Sequence, residues 1–238
     1  IRGTVQLTKT DRDYPDSKLT GAEFTIYCDS NSNKELDADD ELVGTLTETG
    51  IGVYEMSDLL YGGYFVKETK APAGFYLDDN AYYFEITEDG KTVTVENEAG
   101  RGFVNAPQVG SLKIIKTSSD GKVEGFSFHV TGPNGYVGIF TTDKNGEIII
   151  DDLRIGEYVV SEVSDVASSA YVLPADKTAS VFEGAVTQVE MHNELRDTPK
   201  TGDDSNPALW LALLGISAAG AAVLGVVGFR KRRKEGAE

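Results

Sequence analysis

Cysteine is almost missing from this chain. Cys28 is its one thiol, so no internal disulfide can staple the fold. Histidine is nearly as scarce: His129 and His192 stand apart with no metal-ligand spacing. Basic charge is thin as well. The chain holds 22 Lys and Arg against 39 Asp and Glu, a formal net charge of −17. The last nine residues contain five basic and two acidic groups, so residues 1–229 carry −20. An exterior that acidic favours solubility and excludes nucleic acid and anionic membrane surfaces as partners. Before Ala208 no long stretch repeats its apolar residues at a helical period, which argues against a helical domain. No nucleophile–base pair, metal cluster or phosphate loop occurs in residues 1–195, so the chain is read as no enzyme. No signal peptide precedes Ile1; an exported chain needs one, so the sequence is expected to be the C-terminal piece of a longer precursor.

What is there is β-structure. Segments of five to eight residues, rich in Val, Ile, Thr, Tyr and Phe, recur throughout: Ala22–Cys28, Leu42–Thr47, Ala81–Thr87, Lys91–Glu96, Tyr136–Thr141 and Glu147–Asp151. Turns such as Asp89-Gly90, Asp120-Gly121 and Asn145-Gly146 separate them. Cys28 shares a face with Phe24 and Ile26 and reads as a small core side chain.

The β-rich part repeats once. Gly3-Thr-Val-Gln-Leu-Thr-Lys9-Thr10 matches Gly110-Ser-Leu-Lys-Ile-Ile-Lys116-Thr117. Gly62-Gly-Tyr-Phe-Val-Lys-Glu68 matches Gly156-Glu-Tyr-Val-Val-Ser-Glu162, and each half closes on a short strand ending in Asn105 or Asn193. A period this long means tandem domains, here 1–107 and 109–195. The expected fold class is all-β: two tandem Greek-key, immunoglobulin-like β-sandwiches, followed by one C-terminal transmembrane helix. The four-residue junction 106–109 predicts end-to-end stacking with little freedom.

Most of the extra length of the first half lies in the acidic insertion Asp29–Glu41. Asp29, Asn31 and Asn33 at alternate positions, with Asp40 beyond, resemble a calcium-binding EF-hand loop. Lys34, however, stands where the turn glycine belongs, and Asp40 where a bidentate Glu would be. A solvated acidic loop is the preferred reading and calcium the alternative; no other cofactor is expected.

Alternation along strands puts Lys9 in phase with Val5 and Leu7, and Lys116 in phase with Leu112 and Ile114. Glu68 follows Tyr64 and Val66, and Glu162 follows Tyr158 and Val160; Asn105 follows Phe103, and Asn193 follows Met191. One such inward trio would read as strand-end residues reaching water. Two in the same order point to a buried Lys–Glu–Asn constellation. These residues resemble the Cna B-type, or SpaA-type, prealbumin-like domains of Gram-positive adhesins and pilins. The opening Gly-x-φ-x-φ-x-Lys (φ apolar), the Tyr-x-Val-x-Glu strand, Ala71-Pro72-Ala73-Gly74-Phe75 and the closing Asn carry the resemblance. It implies an intramolecular isopeptide bond joining Lys9 to Asn105 with Glu68 as catalyst, and Lys116 to Asn193 with Glu162, each a single-turnover autocatalysis. Asn97 is a rival to Asn105, since Val93, Val95 and Asn97 also share a face; domain 2 replaces the Ala-Pro-x-Gly segment with residues 165–171.

Residues 196–238 have three parts. Thr198-Pro199-Lys200-Thr201-Gly202 comes first, then 22 uncharged residues from Ala208 to Phe229, then five basic residues, 230–234. A helix of that apolar length spans roughly 33 Å, enough to cross a bilayer core, and the basic end marks the cytoplasmic side. The arrangement resembles a sortase sorting signal, Leu-Pro-x-Thr-Gly with helix and basic stop, although Thr198 stands in place of Leu. It implies cleavage between Thr201 and Gly202 and amide transfer of Thr201 to peptidoglycan. The expected partners are sortase, peptidoglycan and a host extracellular-matrix ligand; the expected location is the cell wall of a Gram-positive bacterium, with the helix in the cytoplasmic membrane before processing. The leading reading is a wall-anchored stalk of an adhesin or minor pilin. The alternative is a spacer in a wall-anchored enzyme whose catalytic domain lies upstream.

Overall fold

The computed structural model describes residues 1–197, and its elements are almost all strands. The first half contains β1 (Arg2–Asp11), β2 (Glu23–Cys28), β3 (Glu41–Thr45), β4 (Thr47–Gly50), β5 (Val53–Leu60), β6 (Gly62–Lys70), β7 (Ala81–Ile86), β8 (Thr92–Thr94) and β9 (Phe103–Asn105). The second contains β10 (Val109–Ser118), β11 (Ser127–Gly132), β12 (Tyr136–Thr141), β13 (Glu147–Arg154), β14 (Gly156–Glu162), β15 (Tyr171–Val172), β16 (Lys177–Val181) and β17 (Val186–Leu195). A single 3₁₀ turn, Pro133–Gly135, is the one helical element among the described residues.

Each half is two sheets face to face. In the first, β4-β5-β1-β8, with β9 also on β1, lies against β3-β2-β6-β7. In the second, β13-β10-β17-β15 lies against β12-β11-β14-β16. Alternation along the strands supplies the inner faces. Val5, Leu7, Phe24, Ile26, Val66 and Phe103 belong to one core; Leu112, Ile114, Phe128, Val130, Val160 and Met191 belong to the other. Cys28 is half-buried against the first.

The repeated motifs have structural reasons. β1 and β10 each carry a register shift just after the opening glycine, between Gly3 and Val5 and between Gly110 and Leu112. A Cβ at Gly110 would stand 2.1 Å from the Phe182 carbonyl oxygen, and one at Gly3 would stand 2.9 Å from that of Lys91, so only glycine lets the neighbouring loop cross there. The tyrosines of the Tyr-x-Val-x-Glu strands each donate a hydroxyl to the carbonyl four residues back, Tyr64 to Leu60 and Tyr158 to Arg154, both at 2.9 Å.

The halves differ in their closing strand. β17 runs unbroken beside β10 in parallel register over eight pairs, from Ser111–Val186 to Ser118–Asn193. In domain 1 the same parallel edge is split. β8 pairs with Thr4–Gln6, the chain leaves the sheet, and β9 returns to pair with Lys9, Thr10 and Asp11. The expected strand over 91–96 is therefore shortened to β8, and the expected strand over 42–47 divides into β3 and β4, with Leu46 turned into the core between them.

The junction is held on both sides. Tyr76 N–H donates to Ala106 O and Gln108 N–H to Gly74 O, while Ile155 N–H donates to Gln108 O. Arg154 reaches from β13 to the end of β1, with two 2.7 Å bonds to the Asp11 carboxylate and one of 2.8 Å to Asp13. Its guanidinium also sits 4.9 Å from the Tyr14 ring centre.

Candidate functional site

β1 and β9 are parallel neighbours, as are β10 and β17, and this sets the spacing of the site. Lys9 lies opposite Phe103, with Asn105 two residues on; Lys116 lies opposite Met191, with Asn193 two residues on. From the facing sheet, Glu68 pairs with Phe24 between β6 and β2, and Glu162 pairs with Phe128 between β14 and β11. Both trios therefore occupy the same lattice positions, between the sheets. Lys9 and Glu68 are 0% exposed and Asn105 2%; Lys116 is 1% exposed, Glu162 9% and Asn193 0%.

In domain 1 the Asn105 amide nitrogen donates to both Glu68 oxygens, at 3.0 and 2.9 Å. The Lys9 ammonium stands 3.6 Å from Glu68 Oε1, donates to Phe103 O at 2.8 Å and lies 5.2 Å from the Phe103 ring centre. Lysine and asparagine thus meet on one carboxylate oxygen. In domain 2 Asn193 donates to Glu162 Oε1 at 2.6 Å, and the Lys116 ammonium donates to Thr117 O at 2.6 Å over the Phe126 ring.

Burial sets the charge state. It pushes the Lys9 amine down to about 8, against the opposing pull of Glu68, and pushes the Glu68 carboxyl up. Burial likewise lowers Lys116 and raises Glu162. Both shifts favour a neutral amine beside a neutral acid. A second sign agrees. Asn105 Oδ1, Asn193 Oδ1 and Glu162 Oε2 are buried without a hydrogen-bond partner among the described residues. Turning either asparagine amide over presents its oxygen to the glutamate, which satisfies it only if that glutamate carries a proton.

Asn97 takes another place. Its amide is spent on Val104, accepting from N at 2.6 Å and donating to O at 2.9 Å, and on Asp78 at 2.9 Å. The geometry brings Asn105 against Glu68, and Asn97 beside the strand that carries Asn105. Asp78, which sequence reasoning passed over, holds Glu68 Oε2 with its main-chain N–H at 2.9 Å. No spacing signals it, because it comes from the loop after Ala71-Pro72-Ala73-Gly74-Phe75 and not from a patterned strand.

The acidic insertion is a run of turns closed by its own side chains. Asp29 accepts from the main chain of Asn33 and Lys34, Asn31 from that of Asn33, and Asn33 from that of Glu35. Asp40 accepts from Ser30 and Asp37. Among the described residues no three His, Cys, Asp or Glu side chains converge in a metal-holding group. The Thr198–Gly202 pentapeptide and the apolar run 208–229 lie outside the described residues; among those described, no helix is long and apolar enough to cross a membrane.

The SpaA prealbumin-like fold domain matches residues 3–99 and again 110–195. The chain belongs to this family. The chain is also similar to Colossin-A of Dictyostelium discoideum, 27% identical over 144 residues, which is 54% of this chain and 1% of that protein. Among solved structures, the Bacillus anthracis TIE protein matches with a TM-score of 0.62 at 24% identity, over 81% of this chain and 34% of that one. The pilus adhesin SpaC of Lactobacillus rhamnosus GG matches with a TM-score of 0.49 at 15% identity, over 81% of this chain and 31% of that one. The chain spans well under two thirds of each of these proteins, and the likeness to the TIE protein is one of fold.

Proposed function

We propose that these two SpaA domains are the wall-proximal stalk of a Gram-positive surface adhesin or minor pilin, self-crosslinked by an isopeptide bond in each domain and anchored by sortase through Thr201. The observation that carries the crosslinking is the twice-repeated buried trio, with each asparagine amide on the glutamate and, in domain 1, the lysine ammonium 3.6 Å from that same carboxylate. The three-part tail supports the anchoring, and family membership supports the setting.

The chemistry balances within each trio. The lysine ammonium passes a proton to the glutamate carboxylate, leaving a neutral amine and a neutral acid, the forms that burial favours. The amine attacks the asparagine Cγ while the glutamic acid donates to the carbonyl oxygen. In the tetrahedral intermediate, the glutamate relays a proton from lysine Nζ to asparagine Nδ2. The Cγ–Nδ2 bond then breaks, ammonia leaves, and an Nζ–Cγ amide remains. Fixed neighbours on two strands replace an encounter between molecules. In one domain or the other, nothing is turned over, so this is maturation and not enzymatic activity.

The test is the intact mass of the full chain made in a host without sortase. The expected value is about 34 Da below the sequence mass, one ammonia per domain, with Lys9–Asn105 and Lys116–Asn193 peptides joined after proteolysis. A mass equal to the sequence mass overturns the crosslinking. Anchoring is read separately in a Gram-positive host: release by a wall hydrolase supports it, and extraction by detergent alone refutes it.

A further inference from the structure

In domain 1 the reactive asparagine rides on a strand of three residues, whereas its counterpart in domain 2 sits on a strand of ten. A three-residue ladder is a weak hold for a group that must meet an amine at bonding distance. The Asn97 side chain supplies the missing rung. It satisfies both main-chain groups of Val104, the residue just before Asn105. The same amide nitrogen donates to Asp78 Oδ2, which also receives the Tyr82 hydroxyl at 2.7 Å. Asp78 in turn grips Glu68 through its main-chain N–H, and Glu68 receives the Asn105 amide. The contacts close a ring: Asn105, Glu68, Asp78, Asn97, Val104 and back to Asn105.

We infer that Asn97 and Asp78 are positioning residues for the domain 1 crosslink, a bracket that fixes the catalytic acid and the strand carrying Asn105 relative to each other. The inference rests on the crosslinking proposed above. Neither residue touches Lys9 or gives up an atom to the reaction; each acts through Val104 or Glu68. Domain 2 has no such bracket among the described residues. There Glu162 Oε2 lacks a partner, and Asn193 is held by the unbroken β10–β17 ladder. Burial pushes the Asp78 carboxyl up, but bonds from Asn97, Tyr82 and Asn80 outweigh it and hold the group below the ordinary range, so it stays an acceptor.

The test follows crosslinking in time. The full chain is recovered unfolded from inclusion bodies, refolded by dilution from urea into mild detergent, and sampled for ammonia loss. Proteolysis then assigns each loss to a domain, so domain 2 is the internal clock. Asn97→Ala and Asp78→Ala are each expected to slow domain 1 by about 10–100-fold, the effect of a small misplacement of reacting groups, and to leave domain 2 unchanged. Asp78→Asn keeps an oxygen for Asn97 and restores most of the rate, which a loss of folding would not predict. The double alanine variant is expected to be no slower than the worse single one, because the two act as one unit. Asp78→Ala leaves the Val104 pairing intact, so it reports even if Asn97→Ala folds badly. Wild-type rates in both alanine variants overturn the bracket while the crosslink stands. Absence of ammonia loss from both domains of the wild type overturns the crosslink and the bracket with it.

Discussion

Replacing Asn105 with Ala removes the acyl donor of domain 1 and leaves domain 2 as its control. Two costs follow. The first is the open loop: Lys9 through Asn105 is 97 residues, and closing a loop of that length is worth about 4.7 kcal/mol in the chain-entropy model. The second is the amine, now unreacted and 0% exposed. Its pKa of about 8 in the fold, against an ordinary 10.5, makes its burial at pH 7 cost about 3 kcal/mol. The sum, about 8 kcal/mol, rivals the whole stability of an ordinary domain, about 5–15 kcal/mol. Scanning calorimetry is therefore expected to show the domain 1 transition falling by at least about 20 °C, the domain 2 transition holding, and the mass deficit halving. The second cost has its own signature. Unfolded chains bind more protons than folded ones between pH 8 and 10.5, so the variant gains stability as pH rises through that window, whereas a wild type crosslinked through Lys9 as proposed does not. A domain 1 transition unmoved by the substitution, or a variant whose stability ignores pH across that window, would refute the reasoning.

The rate of crosslinking should itself depend on pH as a bell. The reactive pair, neutral amine and neutral acid, holds one proton between Lys9 and Glu68; a second proton at low pH and the loss of the first above about 8 both remove it, which refolding at graded pH with mass detection reads out. Gly102→Ala is expected to abolish the domain 1 crosslink alone, because φ is +83° there and a Cβ would stand 2.5 Å from Thr8 O, lifting β9 off β1; joined peptides after proteolysis are the assay. Arg154→Ala leaves Asp11, 3% exposed, without its cation, though the Asp13 N–H still donates to it, and should cost up to about 3–5 kcal/mol at the joint, seen as faster proteolysis at 106–109 and separate tumbling of the domains in NMR relaxation. Calcium is expected to give no heat in calorimetry and no shift in melting, since Asp29 and Asp40 already serve main-chain N–H groups.

How much of this was readable beforehand differs by feature. The two-fold repeat follows from matched motifs in the two halves, and the inward phase of Lys9, Glu68 and their counterparts from a period of two, which sheets obey because side chains alternate. The trio could be grouped because each member ends a patterned strand. Asn97 defeated the same logic: its phase with Val93 and Val95 is real, but the chain leaves the sheet after β8, so phase no longer fixes what the side chain meets. Asp78 and Arg154 lie at loop or strand ends, and their partners are 19 and 143 residues away, beyond any local pattern. The short junction predicts little freedom, but no local pattern signals the Arg154 bonds across it.

The parallel pairing of opening and closing strands has a mechanical consequence. With both amides formed and the chain anchored as proposed, tension entering at Ile1 crosses from Lys9 to Asn105, runs through the junction, crosses again from Lys116 to Asn193 and leaves toward the anchor. Residues 10–104 and 117–192 hang outside that path, 171 in all. Pulled straight they would add about 600 Å; bypassed, they add nothing, and the segment would behave as a tether of nearly fixed length whose sandwiches can lose their hydrogen bonds without lengthening it.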